Sequence, residues 1–207
     1  MSNERLRENT LKMMKYCREN ITKIFSDFES GSTSTGELSL PFYCKCRIAR
    51  YIKMLETDGG LYPELSSEYN QITTLIESFI HKFGDIYYDL LYEELKERVD
   101  CFYSLVLDGY IDFEDDPIET SNDLASRELI ELALIELEGQ SFDLREIKHR
   151  IFIADEKLKD LYWEGKDFII EKDIMDYFER PYYPDRFWFY HPVKLFEELE
   201  RRKRVKE

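Results

Sequence analysis

Residues 85–109 read DIYYDLLYEELKERVDCFYSLVLDG. Ile86, Leu90, Tyr92, Leu95, Val99, Phe102 and Val106 recur at three- and four-residue steps, the spacing that lines one face of an α-helix. Asp85 stands where an N-cap belongs and Gly109 where a helix stops. Moving outward, the same period holds almost everywhere. Met14, Cys17, Ile21, Phe25 and Phe28 form one stripe, and Tyr69, Ile72, Ile76, Phe79 and Phe83 form another, with Gly84 read as its break. Pro41 opens a helix that stops at Asp58-Gly59-Gly60. A further helix runs from about Ser121 to Glu138 with Leu129, Leu132, Ala133 and Leu137 on one face, and ends at Gly139. Asp143 and Glu146 are spaced for a reciprocal capping box before a helix that Gly165 ends. A last helix starts near Pro192. The expectation is an all-α fold: one compact domain of six or seven helices, with room for a small β element near residues 168–190. Its expected parts are a basic helix over 1–28, a linker over 29–40 rich in Ser, Thr and Gly, and an acidic helical domain over 41–207.

Charge is sorted along the chain. Residues 1–53 carry ten Lys/Arg against six Asp/Glu, a net of +4; residues 54–200 carry a net of −23; residues 201–207 carry a net of +4. A body this acidic repels nucleic acid and anionic membrane and attracts basic surfaces. No apolar run approaches the roughly 20 residues that span a bilayer, and the N-terminus has no apolar signal region. A cytoplasmic protein with free thiols at Cys17, Cys44, Cys46 and Cys101 is the expectation.

The motifs for chemistry are incomplete. Asp108 to Asp115 resembles the second half of a calcium loop, with Gly109 at position six and Asp112 at nine. Positions one, three and twelve would then be Ser104, Val106 and Asp115, and Val106 cannot ligate calcium, so a helix end capped by Gly109 is expected instead. Glu146-x-x-His149 has the spacing of a di-metal bundle ligand pair, but a bundle needs two such pairs. Cys44-x-Cys46 is closer than zinc-knuckle spacing. No Cys–His context for nucleophilic catalysis surrounds His81, His149 or His191. No catalytic residue, cofactor or metal is expected.

Two regions are candidates for partner binding. The segment Pro181 to Pro192 places Tyr183, Arg186, Trp188 and Tyr190 together, the residue types that dominate interface hot spots, with the closing of the core as the competing role. Asp112, Glu114, Asp115 and Asp116 make an acidic loop suited to a basic partner. The leading expectation is a non-enzymatic acidic protein that holds a basic protein, as inhibitors, immunity proteins and antitoxins do, with a homodimer as a further expectation. The alternatives are a nucleic-acid-associated regulator using Arg5, Lys12, Lys15, Lys23, Lys45, Arg47, Arg50 and Lys53, and, last, a helical enzyme or metal-binding bundle. Basic residues spread over one exposed face would favour nucleic acid; basic residues paired with the acidic body would favour the protein partner.

Overall fold

The structure, a computed structural model, describes residues 3–31, 45, 48–49, 51–53, 55–56, 62–113, 117–171, 174–175, 178 and 184–204. The fold is all-α. Among the described residues there are six α-helices, one 3-10 helix and no strand. The helices are α1 (Asn3–Glu29), α2 (Pro63–Leu107), α3 (Pro117–Leu137), α4 (Arg145–Glu164), α5 (Lys166–Ile169) and α6 (Pro192–Arg204), with the 3-10 helix at Trp188–Tyr190. Where a small β element was expected, none of the described residues is in a strand. Most of the expected linker and of the helix after Pro41 lies outside the described residues.

Gly84 does not break a helix. Residues 63–107 form one helix of 45 residues. A helical glycine costs only about 1 kcal/mol relative to alanine, against roughly 3 kcal/mol for proline, and the aromatic residues around it outweigh that cost. Because the helix is continuous, its buried face keeps one phase: Ile72, Ile76, Phe79, Tyr87, Leu91, Leu95, Val99, Phe102 and Val106 are all buried. That phase selects Tyr87 and Leu91 in place of the expected Ile86, which is 52% exposed, and Leu90, which is half-buried.

The chain divides into two compact units, Met1–Glu94 with Leu132–Gln140, and Leu95–Glu131 with Ser141–Glu207. In the first, Met14, Cys17, Ile21, Ile24 and Phe28 of α1 are buried, as are Leu65, Ile72, Ile76 and Phe79 of α2. Phe25, Phe28, Phe79, Phe83 and Tyr87 form an aromatic cluster with ring centroids 5.0–5.7 Å apart, most pairs edge-on. Ion pairs fasten α1 to α2: Arg7 to Glu64 at 3.1 Å, Arg18 to Glu68, and Glu29 to Lys82 at 2.5 Å.

The second unit is built on Val99, Phe102, Val106, Phe113, Ile151, Leu158, Tyr162, Phe187, Phe189 and Phe196, all buried. Tyr162 Oη donates to the Phe189 carbonyl at 2.5 Å, and its ring lies 4.5 Å from that of Phe113. Helix α2 ends as expected. Gly109 takes φ +77°, and the Tyr110 N–H reaches back to the Leu105 carbonyl at 3.1 Å, closing the helix in a Schellman turn. The capping box before α4 does not form. Asp143 Oδ1 accepts the Arg145 N–H, two residues on, at 3.1 Å, and the Arg145 guanidinium folds back onto both carboxylate oxygens. Leu144 takes the N-cap position without a side-chain bond, and Glu146 is exposed. Hydrogen bonds from the Arg145 side chain, then its backbone N–H, lower the Asp143 pKa to about 2.

Candidate partner-binding site

Tyr183, Glu114, Asp115 and Asp116 lie outside the described residues. Arg186, Trp188, Tyr190 and Asp112 are described, all in the second unit. The structure brings the first three together and places Asp112 elsewhere, beyond the Gly109 turn.

Arg186, Trp188 and Tyr190 each direct a polar group onto a carboxylate of α3 or α4. Arg186 Nε donates to Glu131 Oε1 at 2.5 Å, Trp188 Nε1 points at Asp155 Oδ2 at 3.4 Å, and Tyr190 Oη donates to Glu128 Oε2 at 2.6 Å. Phe187, Phe189 and Tyr190 are buried, Trp188 is half-buried, and Arg186 is exposed. The Tyr190 ring is therefore packed in the core. Of these three candidates, Arg186 and part of Trp188 face solvent.

Beneath them lies a buried charge network that the sequence reading missed. Arg127, only 3% exposed, donates from Nε and Nη2 to Asp155 at 2.8 and 2.9 Å, and from Nη1 to Glu131 Oε2 at 2.8 Å. Its guanidinium also stands 5.4 Å from the Phe189 ring centroid. Burial alone would lower the Arg127 pKa, but hydrogen bonds and charge from Asp155 and Glu131 outweigh it and hold the pKa above its ordinary value. The sequence did carry a signal. Every residue from 127 to 134 is buried, so the charges in RELIE had to point inward along with the aliphatic residues. A network with its members bonded on several sides fixes the geometry of the unit.

Trp188 also borders a groove of about 410 Å³ between α4 and α6. Its cations, Lys159, Lys194 and Arg201, are matched by Asp185, Glu197 and Glu198. Lys194 already binds Asp185 at 2.7 Å and Lys159 binds Glu156 at 2.6 Å. The groove has no net preference for either sign of charge.

Asp112 is exposed, in the connection between α2 and α3. Its carbonyl accepts the buried Thr120 Oγ1 at 2.6 Å, which ties the connection to the first turn of α3. Val106 is fully buried and Ser104 exposed, as the end of an amphipathic helix requires. Among the described residues no group of three His, Cys, Asp or Glu side chains is placed to hold a metal, and no helix is long and apolar enough to cross a membrane.

The N-terminal cations lie among carboxylates. Lys12 pairs with Glu8 at 2.7 Å and Lys15 approaches Glu19 at 3.9 Å, both within α1, beside the Arg7 and Arg18 pairs to α2. Of the other residues in the expected basic patch, Arg47 and Arg50 lie outside the described residues. Comparison with protein-family models, curated proteins and solved structures finds no match to this chain.

Proposed function

We propose that this chain is a non-enzymatic, cytoplasmic interaction protein whose acidic surface holds a basic protein partner, in the manner of an inhibitor, immunity protein or antitoxin. The observation that carries the reading is an asymmetry in how charge is used. In the first unit, Arg7, Lys12, Lys15 and Arg18 of the N-terminal helix are engaged with Glu64, Glu8, Glu19 and Glu68, while Lys23 forms no ion pair with a described residue. By contrast Asp85, Asp89, Glu97, Asp108, Asp160, Glu164 and Asp167 are exposed and form no ion pair with any described residue. With a net charge of −15, the unspent charge is negative. Such a field speeds encounter with a basic surface and selects against acidic ones.

The test is affinity capture from the source cells at low and high salt, identifying both protein and nucleic acid. A basic protein captured at low salt should be confirmed with the purified pair, its association rate falling steeply with ionic strength. Capture of nucleic acid that disappears when Lys45, Arg47 and Arg50 are replaced by Ala would overturn the proposal in favour of a nucleic-acid-binding protein.

A further inference from the structure

The groove beside Trp188, about 410 Å³ and wholly within the second unit, is balanced in charge, but its charges are unequally committed. Leu195, buried, and Trp188, half-buried, give it an apolar wall. Lys194 is held by Asp185 at 2.7 Å. Lys159 is held by Glu156 at 2.6 Å, with its ammonium 5.1 Å from the Trp188 ring centroid. Glu198 is taken by Arg202. One charge of each sign is left. Arg201 forms no ion pair with a described residue, and among those residues its guanidinium donates only from Nε, to the Glu197 carbonyl at 3.3 Å. The Glu197 carboxylate, also exposed, forms no ion pair with a described residue.

The volume lies within the roughly 300–1,000 Å³ of small-molecule sites, which combine apolar walls with a few polar groups. Glu197 and Arg201 are four residues apart on α6, so their side chains leave one face of the helix, roughly 5–6 Å apart at Cβ. A lone anion would meet Glu197, and a lone cation would meet Arg201. A ligand with both charged groups on one carbon avoids either repulsion. Its carboxylate takes the guanidinium fork and its ammonium takes the carboxylate. That is the head of a free α-amino acid. The Trp188 indole favours an aromatic side chain on it, through offset-stacked or edge-on ring contact.

We infer that this groove holds a free aromatic α-amino acid, with its carboxylate on Arg201, its ammonium on Glu197 and its ring against Trp188. The site stands independently of the acidic-surface reading. The test titrates the full chain with L-phenylalanine, N-acetyl-phenylalanine, phenylalanine amide and L-alanine, followed by NMR. Binding falls in the millimolar range for a ligand this small, so the titration runs to about 20 mM. The indole N–H signal of Trp188 should shift, and that of Trp163, which does not line the groove, should stay. Arg201→Gln and Glu197→Gln probe the head group. Arg204→Gln, outside the groove, removes a charge from the same helix. All three positions are exposed, and circular dichroism checks that the variants fold.

Phenylalanine should bind about 5-fold more tightly than either derivative, the upper end for one exposed ion pair. It should also bind more tightly than alanine. Arg201→Gln should abolish the preference over the amide, and Glu197→Gln the preference over the acetyl form, with Arg204→Gln unchanged in both. Equal binding of phenylalanine and its derivatives, or equal losses in all three variants, would overturn the head-group assignment. Alanine bound as tightly as phenylalanine would overturn the aromatic one. No shift of the Trp188 signal at the highest concentration would overturn the site and leave the acidic-surface reading standing.

Discussion

Replacing Arg127 by Met tests whether the buried charge network organises the second unit. The side chain of Arg127 is 4% exposed and makes three short charged hydrogen bonds, two to Asp155 and one to Glu131. Methionine keeps most of the volume and removes all three. Glu131 still has Arg186 at 2.5 Å, but Asp155 is left with only the long Trp188 contact at 3.4 Å. The cost is therefore chiefly one uncompensated buried carboxylate, and breaking such a pair costs about 3–5 kcal/mol. Adding Asp155→Leu removes that orphan. The double variant should recover about 1–3 kcal/mol relative to Arg127→Met alone. Urea unfolding followed by tryptophan fluorescence suits the question, since Trp163 and Trp188 both belong to this unit. The midpoint should fall with the slope unchanged. A loss under about 1 kcal/mol, or a double variant no more stable than the single, would refute the reasoning.

Two other outcomes follow from the packing. Gly165→Ala should destabilise, because φ of −83° admits alanine but its Cβ would meet Phe113 Cβ at 3.0 Å; overpacking costs about 1–3 kcal/mol. Gly139→Ala, with open space around the added Cβ and no positive φ, should instead stabilise by about 0.4–1 kcal/mol through the unfolded chain, and thermal melts of the two side by side check both signs. In the first unit, burial raises the Glu136 pKa, and the charge of Lys45 only partly opposes that. The folded state then holds this proton more tightly than the unfolded chain, so Glu136 weakens the fold at neutral pH, less so as pH falls toward its unfolded value. Glu136→Gln should raise the melting temperature at pH 7 and lose that advantage at about pH 4; an equal effect at both pH values would sink the assignment.

Helix existence was legible because it depends on local spacing, and Gly109 and Pro192 were legible because turn and first-turn chemistry belong to single residues. Gly84 was misread because a break depends on what surrounds the glycine. Phe79, Phe83 and Tyr87 pack across it, and packing energy from several rings exceeds a propensity cost of about 1 kcal/mol. That one error propagated. Restarting the helix at Asp85 reset its phase and put Ile86 inward, whereas the unbroken phase from Phe79 and Phe83 leads to Tyr87. The capping box failed for a similarly local reason. Arg145 next to the cap competes for Asp143, and two charged hydrogen bonds from a guanidinium outbid one backbone N–H.

The site was less legible than the fold, since a site is a juxtaposition. Nothing in the spacing of Arg127 and Arg186 announces that they share Glu131, or that Arg127 also reaches Asp155. What the sequence does hold is a count. A helix buried all round cannot carry Arg, Glu and Glu within five residues unless partners are supplied from elsewhere, because an unpaired buried charge costs several kcal/mol. The partners had to be polar residues in segments otherwise read as core, and Asp155 beside Ala154, and Arg186, Trp188 and Tyr190 among phenylalanines, are such residues. The polar groups of the aromatic segment are thus explained by the carboxylates beneath them. Exposed carboxylates such as Asp85, Asp89, Glu97 and Glu164 form no ion pair with any described residue, and among the described residues no buried polar group accounts for them as the buried carboxylates account for Arg186, Trp188 and Tyr190.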